Sequence, residues 1–252
     1  MPPQFVMQEN QNMSMFTDLL RNIKRKPTSC SAVIAAAGNS QRMGGSDKLF
    51  HNLCGIPVLA HTLIAFQKCD LISEIVVVTR EESLADVTKL CDKYGINKVT
   101  KVIAGGGTRL ESVMNGVLAV SKKAELIAIH DGARPCIDDA IIKKTIVAAE
   151  EHHAAAPGVP VVSTLKKVFC NRIFETVNRE EFVEIQTPQI FTSDVIKGAL
   201  TNAIKGSLNI TDDCMAVEAL GVLTYVTEGS RSNIKITTKE DLKIAEVILM
   251  GK

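Results

Sequence analysis

Short stretches that combine glycine with charged or hydroxyl side chains are the candidates for chemistry in this sequence. The first is AAAGNSQRMGGSDK, residues 35–48, which follows an apolar run and places Arg42 and Lys48 around its glycines. Glycine lets the backbone turn sharply and approach a ligand closely. Amide groups in such a loop bind phosphate oxygens, and Arg and Lys add full charges. We therefore predict that this loop holds a nucleotide triphosphate.

The loop matches neither of the common nucleotide fingerprints. Lys48 is followed by Leu49, where a P-loop needs Ser or Thr, and Ser40 stands where GxGxxG has its second glycine. Taken alone, the stretch also fits an ordinary strand-to-helix turn that carries two surface cations.

Two further stretches have the same character. In GGGTRLESV, residues 105–113, amides near Gly106 can read the edge of a base and Ser112 adds a hydroxyl, although a plain flexible loop is the alternative. In HDGARP, residues 130–135, Asp131 can accept from hydroxyls or face a metal. Arg134 can bind a phosphate through two bonds or hold the loop through a carboxylate.

Four more polar residues occur in the second half of the chain. Thr164, Arg179 and Thr187 lie in or beside an extended stretch and suit hydroxyl and phosphate contacts, but each also fits a structural role. Lys235 lies in the apolar run IKIT, where a lysine is costly to bury unless it faces a polar site or pairs with an anion. A surface lysine is the alternative there.

Composition narrows the class of protein. The 252 residues are 46% hydrophobic in short runs, and the net charge of +1 favours neither nucleic acid nor a membrane surface as partner. The seven cysteines form no CxxC pair, which is typical of a reduced cytoplasmic protein and argues against zinc. We expect a cytoplasmic enzyme with no nucleic-acid or membrane partner.

The elements that must position these residues alternate along the chain. Apolar runs predict strands at 32–37, 74–79, 99–104, 125–129 and 159–162, and helical spacing predicts helices at 57–69, 81–94, 109–120 and 138–152. Such β-α-β repeats predict an α/β fold with a mostly parallel sheet and helices on both faces. Ligands bind beyond the carboxyl ends of the strands in these sheets, which is where the motifs fall.

The remaining segments predict one domain with an appendage. Residues 157–187 alternate β-branched and polar side chains, which predicts an arm with a hairpin around residues 170–171 and, because the arm is apolar, a homodimer. Helices follow at 193–205, 212–220 and 239–250, with strands at 222–227 and 234–237. Residues 1–30 form a separate extension, either a mobile tail with a short helix or a helix that docks on a partner subunit.

Seven motifs in this order carry a family resemblance: AAAGNSQRMGGSDK, GGGTRLESV, HDGARP, VVSTLK, QTPQIF, TDD and EGSRSNIKIT. Residues 31–252 resemble the 2-C-methyl-D-erythritol 4-phosphate cytidylyltransferases of the non-mevalonate isoprenoid pathway. The resemblance implies a glycosyltransferase-A-like nucleotidyltransferase fold with a protruding β-arm at about 160–187, which makes the dimer. It also implies magnesium as cofactor, and transfer of CMP from CTP to methylerythritol 4-phosphate with release of pyrophosphate.

The resemblance further implies a role for each matching residue. CTP would contact Ala36, Ala37, Gly38, Gly106 and Ser112; the sugar phosphate would contact Asp131, Arg134, Thr164 and Thr187; the catalytic cations would be Arg42, Lys48, Arg179 and Lys235. Arg179 would act in the partner's site, and the metal ligands stay unassigned.

The chain departs from the family pattern in its loops. Ser40 stands where glycine is frequent, Gly107 stands where an acidic residue is frequent, and the spacing from Arg42 to Lys48 is one residue shorter. A ribitol-5-phosphate cytidylyltransferase is the nearest alternative. A nicotinamide-dependent oxidoreductase and a non-catalytic nucleotide-binding protein are more distant ones, and the missing GxGxxG counts against the first of these.

Overall fold

The computed structural model describes residues 28–38 and 48–251, and every structural statement below refers to these. The strands are β1 (Cys30–Ala35), β2 (Asn52–Leu53), β3 (Ile56–Pro57), β4 (Ile72–Thr79), β5 (Val99–Ala104), β6 (Leu126–Asp131), β7 (Ala154–Pro160), β8 (Lys166–Phe169), β9 (Arg172–Thr176), β10 (Val183–Ile185), β11 (Gln189–Thr192) and β12 (Tyr225–Glu228). The helices are α1 (Val58–Lys68), α2 (Leu84–Lys93), α3 (Arg109–Ala119), α4 (Asp139–His152), α5 (Ser193–Lys205), α6 (Asp213–Glu218) and α7 (Lys239–Met250).

An eight-stranded sheet in the order β10-β7-β11-β6-β1-β4-β5, with β12 beside β7, forms the centre of the molecule. Strands β5, β4, β1 and β6 run parallel, whereas β11 lies antiparallel between β6 and β7. The mostly parallel α/β sheet that the sequence predicted is therefore confirmed. The antiparallel β11 is an addition to that prediction.

The sheet is covered on both faces because successive side chains of a strand point to opposite sides. In β1, Ile34 packs in the core that α1 and α4 build with Phe66 and Ile142. Its neighbour Val33 packs in the second core, which includes Val117 of α3 and Leu200 of α5. Burial on both faces explains why the parallel strands read as continuous apolar runs.

Several predicted boundaries were wrong. The strand expected at 159–162 is β7, which begins at Ala154, and the strand expected at 222–227 begins at Tyr225. Residues 234–237 form no strand, and the helix expected at 81–94 is a 3₁₀ turn, Glu81–Ser83, followed by α2. The helix expected at 212–220 is the shorter α6.

Strands β8 and β9 form the predicted hairpin and pair only with each other among the described strands. The turn residues Cys170 and Asn171 have φ values of 47° and 61°, the backbone that suits a two-residue hairpin turn. Large apolar side chains of this hairpin are exposed, among them Phe169, Ile173 and Phe174.

The predicted N-terminal extension and Arg42 lie outside the described residues, apart from the last residues of the extension. No helix in the described part of the chain is long and apolar enough to cross a membrane.

Candidate functional site

A cleft of about 660 Å³ opens where the parallel strands end. It lies beyond the carboxyl ends of β1, β4, β5 and β6, the position that such sheets offer to ligands. The structure brings to it most of the predicted site residues: Ala36, Ala37, Gly38, Lys48, Gly106, Ser112, Asp131 and Lys235.

The second glycine loop is held rigidly against the start of α3. Thr108 and Glu111 form a reciprocal cap, in which the Thr108 hydroxyl accepts the Glu111 N–H and the Glu111 carboxylate accepts the Thr108 N–H. The Ser112 hydroxyl accepts the Gly106 N–H at 3.0 Å and donates to the Thr108 carbonyl at 2.8 Å. A Cβ on Gly105 would lie 2.6 Å from that hydroxyl, so only glycine fits there.

The hydrogen bonds within the second glycine loop determine which of its backbone groups can contact a base. The N–H of Gly105 donates to the carbonyl of Thr79, and the N–H groups of Gly106 and Thr108 are used within the loop. The sequence suggested that the amides would read a base. The carbonyl of Thr108 is also used within the loop, so which of the loop's backbone groups contact a base stays a prediction. A free carbonyl oxygen would suit an exocyclic amino group such as that of cytosine.

Asp131, at the end of β6, is the buried carboxylate of the cleft. Its Oδ2 accepts from Lys235 Nζ at 2.9 Å and from Arg134 Nε at 3.2 Å. Burial alone would raise the pKa of Asp131, but the charges of Lys235 and Arg134 outweigh burial and hold the pKa well below its usual range. The carboxylate is therefore ionised at neutral pH.

Arg134 braces the loop in this structure. Besides Asp131, its guanidinium donates to the carbonyl of Asn233 at 2.7 Å. This is the carboxylate-holding alternative that the sequence left open. A contact between Arg134 and a phosphate stays a prediction.

Thr187 is buried and holds the backbone of Asp131 through a hydrogen bond. Its hydroxyl oxygen accepts the Asp131 N–H at 3.1 Å and lies 3.0 Å from His130 Nδ1. His130 Nε2 faces the carbonyl of Arg134 at 3.4 Å, and a carbonyl can only accept, so Nε2 carries the proton in the neutral ring. Nδ1 then accepts the hydrogen bond from the Thr187 hydroxyl. Burial lowers the pKa of His130 to about 3, so the ring is neutral.

Residues 233–236 carry Lys235 and bind the side chain of Lys48 at the cleft. The Ile236 N–H donates to the carbonyl of Ala133 at 2.8 Å, and Lys48 Nζ donates to the carbonyl of Ile236 at 2.8 Å. Both bonds fix the backbone at Ile236, directly after Lys235. The Lys235 ammonium group lies 2.9 Å from Asp131 Oδ2, while the side chain is 41% exposed.

Thr164 and Arg179 lie away from this cleft. Thr164 is exposed, and Arg179 lies in a 3₁₀ turn, Arg179–Glu181, where its guanidinium donates to the carbonyl of Val162. Neither residue lines the cleft of the chain that carries it.

Sequence reasoning missed an ion pair at the cleft, between Arg109 and Asp213. Arg109 lines the cleft and donates two bonds, 2.9 Å and 2.7 Å long, to the fully buried carboxylate of Asp213. Although burial alone would lower it, Asp213 holds the pKa of Arg109 above its usual value. A signal was present, because a cation in the first turn of a helix opposes the helix dipole and needs an acidic partner.

Three described carboxylates line the cleft, those of Asp131, Glu81 and Glu82. Asp131 is the candidate ligand for magnesium, although Lys235 and Arg134 already bond its Oδ2. Magnesium prefers carboxylate and phosphate oxygens. A second acidic group, formed by Cys69, Asp70 and Asp139, lies outside the residues that line the cleft. Lys143 Nζ bonds its two carboxylates at 2.7 Å and 2.9 Å, so a cation already balances this group.

Comparison with known proteins agrees with the motifs. The model of the IspD family, 2-C-methyl-D-erythritol 4-phosphate cytidylyltransferase, matches residues 30–251. The enzyme of that name from Halalkalibacterium halodurans is 42% identical over 223 residues, 88% of this chain and 97% of the relative. The one from Caldanaerobacter subterraneus is 43% identical over 222 residues, 87% of this chain and 98% of the relative.

Solved structures give the same result. The 4-diphosphocytidyl-2C-methyl-D-erythritol synthase of Anaerococcus prevotii superposes with a TM-score of 0.79 at 29% identity, over 89% of this chain and 97% of that one. The 2-C-methyl-D-erythritol 4-phosphate cytidylyltransferase of Thermus thermophilus superposes with a TM-score of 0.72 at 29% identity, over 86% and 98%.

Proposed function

The chain belongs to the 2-C-methyl-D-erythritol 4-phosphate cytidylyltransferase family, and from that premise we propose how its cleft performs the reaction. The enzyme transfers CMP from CTP to 2-C-methyl-D-erythritol 4-phosphate, releases pyrophosphate and forms 4-diphosphocytidyl-2-C-methyl-D-erythritol. The observation that carries the mechanism is the convergence of Lys48, Lys235 and Asp131 at the end of the parallel strands. The relatives carry the methylerythritol name, so ribitol 5-phosphate is no longer favoured as the acceptor.

The reaction needs charge control more than proton transfer. An oxygen of the acceptor phosphate forms a bond to the α-phosphorus of CTP, and the bond from that phosphorus to the β-phosphate oxygen breaks. A phosphate monoester has a second pKa of about 6, so the nucleophile is already ionised near neutral pH. The obstacle is the repulsion between two polyanions, which positioned cations remove.

Lys48 binds the triphosphate in this proposal, together with Arg42. Its ammonium group donates to the neutral carbonyl of Ile236. A phosphate oxygen is a stronger, charged acceptor, so exchange of the carbonyl for the phosphate is favourable when CTP enters. Charge that develops on the leaving pyrophosphate is then stabilised by a group that is already at the cleft.

Lys235 and Asp131 place the acceptor. Asp131 accepts hydrogen bonds from the acceptor hydroxyls, and Lys235 aligns its phosphate. The 2.9 Å bond between the two supports this assignment, because it holds the lysine inside the cleft before substrate arrives. Arg134 and Thr187 support Asp131 through the bonds described above. Thr164 is the remaining candidate for a contact with the sugar phosphate.

The base of CTP lies against the two glycine loops in this proposal. Ala36, Ala37 and Gly38 follow β1, and Gly106 and Ser112 belong to the loop and helix after β5. The close packing of Gly105 on Ala37 and Ser112 joins the two loops into one surface. A flat ring fits against such a surface with its amino group toward carbonyl oxygens.

Magnesium is the cofactor in this proposal. Asp131 would supply the protein oxygen, and the CTP phosphates and water would supply the rest of the ligands, as magnesium prefers. When bound, the ion neutralises phosphate charge.

The active enzyme is a homodimer built through the arm, about residues 160–187. The exposed apolar side chains of β8 and β9 support this, since a chain rarely leaves such a patch uncovered. Arg179 then reaches the partner's cleft, which agrees with its distance from the cleft of its own chain. The structure of the N-terminal extension and a cytoplasmic location stay predictions.

Pyrophosphate release from CTP and magnesium tests the function, with methylerythritol 4-phosphate and ribitol 5-phosphate as parallel acceptors. Release with the first acceptor alone is expected. Release with ribitol 5-phosphate alone would show that the protein is a ribitol-5-phosphate cytidylyltransferase. Release with neither acceptor would contradict the proposal.

Mixed dimers test the role of Arg179. If Arg179 acts across the dimer, mixing Arg179→Ala with Lys48→Ala subunits restores about a quarter of wild-type activity, because half of the dimers then hold one intact site. Lys48→Ala mixed with Lys235→Ala is the matched control, since both cations would serve the cleft of their own chain and no site is restored. Equal recovery in both mixtures would contradict the assignment.

A further inference from the structure

We propose that Arg109 is a positioning residue for CTP, and that its ion pair with Asp213 sets the place of the second glycine loop. This inference rests on the proposed function, in which that loop receives the base. It adds a residue and a partner that the family motifs left without a role.

The geometry of the pair is specific. Both terminal nitrogens of Arg109 bond separate oxygens of Asp213, at 2.9 Å and 2.7 Å. Asp213 is fully buried, whereas the Arg109 side chain is 35% exposed and lines the cleft. A planar guanidinium held by two bonds has a fixed orientation, which a lysine cannot reproduce.

Asp213, the buried partner of Arg109, lies in a segment that further hydrogen bonds hold in place. The Gln189 side-chain oxygen accepts the N–H groups of Asp213 and Cys214 at 2.9 Å and 3.1 Å, and its amide donates to Asp212 at 2.8 Å. Asp212 also caps the start of α6 by accepting the Met215 N–H. Arg109 therefore ties the start of α3 to α6 and, through Gln189, to β11 of the central sheet.

Helix formation alone does not explain an arginine at this place. Arg109 is the first residue of α3, where the positive end of the helix dipole disfavours a cation. The neighbouring cap by Thr108 and Glu111 already starts the helix. We therefore attribute the role of Arg109 to its ion pair with Asp213 and to its position at the cleft.

The link determines where the loop lies. Residues 105–108 directly precede Arg109, and a Cβ on Gly105 would lie within 2.7 Å of Ala37 and Ser112, so the loop packs closely on both. A displaced first turn of α3 consequently moves the loop that meets the base. The acceptor side of the cleft, around Asp131 and Lys235, is held by other hydrogen bonds. The charge of Arg109 also acts on Asp131, and Arg109→Lys retains that charge.

Steady-state kinetics of Asp213→Asn and Arg109→Lys test the inference. We expect KM for CTP to rise about tenfold or more in both variants, since small misplacements in a binding site have effects of this size. In Arg109→Lys, which keeps the charge near Asp131, KM for the acceptor should stay within about twofold. Arg109→Lys keeps the charge and serves as the milder variant if Asp213→Asn folds poorly. Val117→Ala is the matched control, because it removes buried packing from the same helix without touching the pair.

Two outcomes would overturn the inference. One is a wild-type KM for CTP in a folded Arg109→Lys enzyme, and the other is an equal rise in Val117→Ala. Amide hydrogen exchange without substrate gives a second readout, in which residues 105–112 exchange faster in Arg109→Lys but not selectively in Val117→Ala. Failure of the wild-type protein to use CTP would refute the proposed function, and the exchange experiment would still decide whether Arg109 positions the loop.

Discussion

Thr187 offers the sharpest test of how the site is built. The sequence predicted that its hydroxyl touches the acceptor, whereas the structure uses that hydroxyl between His130 and the backbone of Asp131. Thr187→Val keeps the shape and removes the hydroxyl. Loss of stability is expected if the internal bonds matter, and loss of acceptor binding alone is expected if the hydroxyl faces substrate.

The size of the effect follows from the two bonds. In the valine variant the Asp131 N–H and His130 Nδ1 both lose their partner in a buried place. Each unsatisfied buried polar group costs about 1–3 kcal/mol, so unfolding should become easier by about 2–6 kcal/mol. That is a large part of the roughly 5–15 kcal/mol that holds a typical domain together. Thr187→Ser retains the hydroxyl and should lose far less.

Urea unfolding followed by circular dichroism measures this loss. Thr88→Val is the matched control, because the Thr88 hydroxyl also makes a hydrogen bond, here to the carbonyl of Leu84, but at an exposed position of α2. We expect the control to change the unfolding free energy by less than about 0.5 kcal/mol. If Thr187→Val unfolds like the wild type and only KM for the acceptor rises, the buried role of Thr187 is wrong.

Three further predictions address catalysis, pH and assembly. Lys48→Ala should lower turnover at least about a hundredfold, because one positioned donor is worth on the order of 2–4 kcal/mol in the transition state; wild-type pyrophosphate release by a folded variant would remove Lys48 from the mechanism. His130, with its pKa lowered to about 3 from 6.5, stays neutral in the fold while the unfolded chain takes up a proton. Stability should therefore fall as pH drops below about 6.5, by up to about 1.4 kcal/mol per pH unit, and an equally steep slope in His130→Gln between about pH 6.5 and 5 would contradict this cause. Phe174→Ser should weaken the dimer in sedimentation velocity, because a large exposed apolar side chain is removed from the arm. Leu223→Ser, at an exposed site outside the arm, is its control, and a dimer unaffected by Phe174→Ser would place the interface elsewhere.

The strands predicted best from the sequence are those whose residues favour the strand conformation that they also adopt in the fold. The run from Val99 to Ala104 was placed correctly, since β-branched residues are favoured in strands. Strand β7 was displaced because its sequence, AAAPGVP, contains alanine, proline and glycine, which do not favour a strand. Pairing with β10, β11 and β12 overrides that preference, and these partners are distant in sequence.

The same reason limits what sequence says about the cleft. The glycine loops and Asp131 could be grouped in advance, because the ends of parallel strands meet at one edge of a sheet. The bond from Arg134 to Asn233 joins residues 99 positions apart, and the pair of Arg109 and Asp213 spans 104 positions. A local pattern can show that Arg109 needs an acidic partner, but it does not identify a partner so far away in sequence, so these contacts needed the fold.

The bond from Lys48 to Ile236 has a consequence for the order in which the protein is made. Lys48, the last residue of the first glycine loop, is synthesised 188 residues before its partner Ile236. Domains fold as the chain emerges from its N-terminal end, so the parallel sheet can begin to form before residues 233–236 exist. A nascent chain that stops short of this segment has neither Lys235 nor the carbonyl that holds Lys48. The charged cleft therefore cannot be completed before residues 233–236 have been synthesised.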